Sequence, residues 1–154
     1  MRSIVINLNY HYWANKRMLH HLSKLDPGLF TKEVKNTFPS IANIFEHIFQ
    51  VDTLWLKRLQ GLSQPNIKSV MFENPSVALQ RFEQLFQQFS LVVPEKSHIP
   101  YINTKGEVFQ NTWEEIIAHI VNHGTYHRGN ISSILHQIGE RSVSTDYIFF
   151  LRDQ

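Results

Sequence analysis

The 154-residue chain contains no cysteine. A disulfide framework, a thiolate metal site and a protein cysteine nucleophile are therefore excluded, and any metal must sit on nitrogen and oxygen ligands. Long hydrophobic runs are missing too. No segment approaches the ~18 apolar residues that a membrane span needs, so no membrane partner is expected. Residues 1–7 lack a long apolar core and a small-residue cleavage site, and no signal peptide is expected. A cytoplasmic location is the resulting expectation. Nor is there a strong excess of one charge. The formal net charge is +2, and the basic residues are scattered (Lys16, Arg17, Lys57, Arg58, Arg81, Arg128, Arg141, Arg152). No basic run accompanies a recognisable reading helix, which argues against direct nucleic-acid binding.

What is present is an ordinary globular composition, 42% hydrophobic and 18% charged. One domain over residues 1–154, large enough to bury a hydrophobic core, is expected. Apolar residues recur at helical spacing from about Ile4 to Leu25, and Asp26-Pro27-Gly28 stops the run. Residues 29–38 lack a period and read as loop. Ser40 is the expected N-cap of a second helix, whose stripe Ile41, Ile44, Phe45, Ile48, Val51, Trp55 and Leu59 ends at Gly61. Asn74-Pro75-Ser76 opens a third helix with Val77, Leu79, Phe82, Leu85, Phe86 and Phe89 on its apolar side, and Pro94 beyond its end.

The period then changes. Ile99, Tyr101, Val108 and Phe109 flank Asn103-Thr104-Lys105-Gly106, which predicts a short hairpin or an extended arm packed on the helices. Thr112, with Glu115 three residues on, has the pattern of a capping box for a fourth helix reaching about Ile138 and closed by Gly139. The apolar tail from Asp146 to Leu151 is expected to pack, with room for a helical turn or two. Four amphipathic helices make an all-α four-helix bundle, with the arm between helices 3 and 4, the leading fold.

Nine histidines are the compositional oddity. His119, His123 and His127 are spaced i, i+4, i+8. Adjacent members have Cβ atoms roughly 5–6 Å apart and can converge on one metal. The outer two are about 12 Å apart along the axis, at ~1.5 Å per residue, so one ion can use an adjacent pair only. Either His119/His123 or His123/His127 is that pair, and a third ligand must come from another helix. Periodicity points to His47, mid-helix among residues of the buried face. Gly124 and Gly129 lie inside the fourth helix, each costing about 1 kcal/mol against alanine, which suggests close approach of another helix or a ligand. Arg128 directly follows His127. His11, His20, His21, His98 and His136 are read as solvent-facing or rim residues.

Three segments together resemble the DinB family, a damage-inducible branch of metal-dependent helical bundles. They are Asn9-Tyr10-His11-Tyr12-Trp13-Ala14-Asn15-Lys16-Arg17, then Ile44-Phe45-Glu46-His47-Ile48, and the most specific, His119 to Asn130. The last resembles the family's His-x-x-x-His-Arg-Gly signature, ending in Asn130 where many relatives carry glutamine. The resemblance implies a DinB-type bundle, commonly a homodimer, with His47, His123 and His127 as ligands of one divalent ion, typically zinc or nickel. His119 matches a family position that is often histidine without being a ligand. Related members use the ion to activate a low-molecular-weight thiol; others have no known reaction.

Two functions follow as expectations. One is a metal-dependent hydrolase or thiol transferase, with Tyr12, Trp13, Asn43 and Arg128 as candidates for the pocket wall or for support behind the ligands. The other is a metal-binding, stress-associated protein without turnover. Of the acidic residues Glu46, Asp52, Glu114 and Glu115, none shows from the sequence a convincing partner as general acid or base.

Overall fold

The computed structural model describes the backbone from Arg2 and side chains from Leu8 onward. Most of the chain is helical: α1 (Arg2–Leu22), α2 (Ile41–Leu59), α3 (Pro75–Ser90), α4 (Trp113–Gln137) and the short α5 (Tyr147–Arg152). Two strands, β1 (His98–Ile102) and β2 (Val108–Thr112), pair antiparallel between α3 and α4. Of the hairpin or extended arm expected here, the structure has a two-stranded antiparallel sheet, with Tyr101 opposite Phe109. Gly106, at φ +81°, occupies the left-handed position of its connecting turn.

Local chemistry places the ends of the helices. The Ser40 hydroxyl accepts from the Asn43 N–H at the start of α2, and Asn74 caps Val77 with Pro75 in the first turn of α3. Thr112 and Glu115 form the reciprocal capping box at the head of α4. Gly139 closes that helix at φ +83°, which an L side chain would resist. α1 ends at Leu22 rather than Leu25. The three residues beyond it continue as turns, with Ser23 N–H to the Leu19 carbonyl and Leu25 N–H to the Leu22 carbonyl.

α1 packs on α3 and α4, and α2 also packs on both. The core between them is aliphatic and aromatic, with Met18, Ile44, Phe45, Ile48, Phe82, Ile116, Ile120, Ile131 and Ile134 among its buried members. A smaller cluster of Tyr10, Ala14 and Phe150 docks α5 against α1. The segment after α1, expected to be plain loop, contains a 3-10 turn (Pro27–Leu29) and sends Phe30 into the core. Among the described residues no helix is long and apolar enough to cross a membrane.

Candidate metal centre

α4 lays His119, His123 and His127 along one side, and α2 brings His47 to meet them. The Nε2 atom of His123 lies 3.0 Å from Nε2 of His47 and 3.1 Å from Nε2 of His127. These three residues each offer a ring nitrogen within 4.8 Å of the others. His127 is buried, while His47 and His123 are half-buried. His119 stays outside the group, exposed, its ring set edge-on against Trp55.

Such closeness is chemically incomplete. Each neutral imidazole nitrogen has either one hydrogen or one lone pair. The His123 Nε2 can therefore give a full hydrogen bond to only one of its two near neighbours, and the other competes for the same hydrogen or lone pair. Protonation is no remedy. Burial, followed by the neighbouring His127 and His47, lowers the His123 pKa to about 3. Burial and then His47 lower His127 to about 4. His47 is also lowered, by burial, against an opposing pull from Asp52. All three are neutral at pH 7, the ligand form of histidine.

A divalent cation fits this donor set. Two nitrogens each 2.0–2.1 Å from one zinc stand roughly 3.0–3.4 Å apart across angles of about 90–110°, and the two close Nε2 pairs already match that spacing. Three ligands leave coordination positions free, and half-buried His47 and His123 keep the group in reach of solvent. The Nδ1 atoms of His123 and His127 are buried without a hydrogen-bond partner among the described residues, so no protein group dictates which nitrogen of these rings keeps its proton.

Phe38 completes one wall, with its ring centroid 5.1 Å from that of His47 and 5.4 Å from that of His127. It comes from the stretch that reads as aperiodic loop, where no sequence signal marks it. On another side, exposed Tyr126 sets its ring edge against His127.

A second polar cluster lies between α1, α2 and α4. The His11 and Asp52 side chains meet at 2.7 Å, and Arg128 Nη1 donates to Asn15 Oδ1 at 2.7 Å. Asn15 Nδ2 in turn lies 3.3 Å from His11 Nε2, joining the two pairs into one chain. All four residues are buried; Arg128 is 1% exposed and its pKa is lowered by burial. Gly124 exists for this contact, since a Cβ there would overlap the His11 ring and crowd Arg128. His11 is thus not the rim residue the sequence suggests, and Asp52 has the partner that single-helix reasoning could not supply. The signal available in the sequence was the internal glycine at 124. Gly129, read the same way, faces open space, and nothing approaches it.

Tyr12 stacks on Phe86 at 4.5 Å between centroids and lines, with His11, Asn15 and Asp52, a cavity of about 20 Å³, room for one water. Trp13 packs against Tyr10 and Phe150 and donates to Asp153. Asn43 belongs to the start of α2, where it donates to Glu46. Glu46 is further engaged by the Phe72 N–H.

A mostly helical chain that draws three imidazoles from two helices to one point has a histidine site able to hold a metal ion. The chain belongs to the DinB family, whose model matches residues 4–154. It is 28% identical to Protein DinB of Bacillus subtilis (strain 168), in an alignment covering 92% of this chain and 90% of that protein.

Proposed function

We propose that this protein binds one divalent metal ion, zinc or nickel, through His47, His123 and His127, and presents it with free coordination positions to a small-molecule substrate. The observation that carries this reading is the pair of Nε2–Nε2 separations at His123, 3.0 and 3.1 Å, between rings that burial keeps neutral. An ion so held is a Lewis acid that lowers the pKa of water or deprotonates a thiol. Hydrolysis, or transfer involving a low-molecular-weight thiol, are the reaction classes this supports. The residues of the chain hold the three neutral rings in place, and Phe38 shields one side of them from water. By family resemblance we also propose a DinB-type four-helix bundle that forms a homodimer in the cytoplasm.

A second reading, a metal-binding and stress-associated protein without turnover, is favoured by one observation. Both acidic groups of α2 are tied into structural contacts, Asp52 Oδ2 with His11 and Glu46 with Asn43 and Phe72, and neither makes a hydrogen bond to the triad.

Elemental analysis of protein purified without a histidine tag tests the metal assignment. Near-stoichiometric metal is expected in the wild type and a large loss in His127→Ala. Equal metal content in both would sink it. Turnover assays with and without added small thiols then separate the catalytic reading from the binding one.

A further inference from the structure

Four imidazoles, not three, run along this face of the molecule, and their exposure is graded. His119 is exposed, His123 half-buried and His127 only 6% exposed. His119 and His123 are one helical step of four apart, with ring centroids 6.0 Å apart and planes inclined by 31°. The His123 and His127 rings are closer, at 4.4 Å. His119 packs edge-on against Trp55, whose ring lies 5.2 Å away.

We infer that His119 is a capture ligand for metal uptake: it takes a divalent ion from solvent and passes it to the triad through His123, which neighbours both. This rests on the triad reading above and adds a route to it. The geometry supports such a handover because adjacent i, i+4 imidazoles can share one ion. An ion held by His119 and His123 needs to exchange only the first of these for His47 and His127. It never leaves His123 during the exchange, and no bond other than metal–nitrogen and metal–water changes. His119 stands too far out to join the final set, so it acts on the rate of loading and not on the equilibrium.

Stopped-flow transfer of Zn²⁺ from a chromophoric chelator to the metal-free protein provides the test, alongside an equilibrium titration against the same chelator. His119→Ala and His119→Phe are compared with wild type; the phenylalanine keeps an aromatic ring against Trp55 without a ligating nitrogen. Both variants are expected to load about tenfold more slowly, because the local concentration of ion beside His123 is lost, with equilibrium affinity changed less than about twofold. Wild-type loading rates in both variants would overturn the inference. So would slow loading in the alanine variant alone, which would assign the effect to packing on Trp55. A matching fall in affinity would make His119 a true ligand and also overturn it. Failure of the triad reading looks different: wild type itself takes no zinc from the chelator at equilibrium.

Discussion

The triad and the buried chain behind it share α4 and the same residue type, yet they match their polar atoms in opposite ways. In the chain, carboxylate meets imidazole and guanidinium meets amide oxygen. In the triad, three neutral nitrogens of one kind meet each other. Buried polar groups usually find complementary partners, and three ring nitrogens competing for the same hydrogen or lone pair are accommodated where a cation is shared. The two clusters differ accordingly: the paired one ties three helices together, and the self-similar one could hold a metal ion.

That comparison breaks most easily at Arg128. Its guanidinium is almost wholly buried, and truncation strands the Asn15 amide oxygen without its donor. Arg128→Ala should cost about 2–4 kcal/mol of stability in urea unfolding, from the cavity left and the unpaired Asn15 oxygen. A loss under about 1 kcal/mol would mean that the chain is not a structural tie. The two glycines of α4 sharpen the point at smaller scale. Gly124→Ala forces a methyl into the His11 ring and should destabilise by about 1–3 kcal/mol. Gly129→Ala, five residues on and facing open space, should instead stabilise by about 0.5–1 kcal/mol through helix propensity. Equal effects of the two substitutions would remove the case for close approach of α1.

The smallest effect is expected on acidification of the metal-free protein, because solvent screens the half-buried His123. His123 and His127 have folded-state pKa values of about 3 and about 4, against an ordinary value of 6.5. Below 6.5 the unfolded chain takes up protons that the folded one refuses, so stability declines as pH falls from about 6.5 toward 3. Denaturant midpoints measured across that window should drop in wild type, and less in the double variant His123→Phe/His127→Phe. An identical pH profile in both would place the titration elsewhere.

Much of the fold was legible because it depends on neighbours in sequence. The caps at Ser40, Asn74 and Thr112, the stops at Gly61 and Gly139, and the strand pair around Asn103–Gly106 all rest on contacts within a few residues. The candidate site was half legible in the same sense. His123 and His127 announce themselves by a step of four, whereas choosing them over His119/His123 took the family resemblance. The burial of His11, its pairing with Asp52 and the placing of Phe38 were not legible. The His11–Asp52 and Phe38–His127 contacts join residues tens of positions apart, and no local pattern encodes which segments meet.

By itself, then, the amino-acid order determined the helices, their ends and a row of imidazoles on one of them, since helix formation and capping are short-range properties of the backbone. Only tertiary packing decided that His47 from α2 comes within reach of that row, and that Asp52 answers His11. Those outcomes depend on how four apolar stripes interlock, a choice made by shape and burial across the whole core.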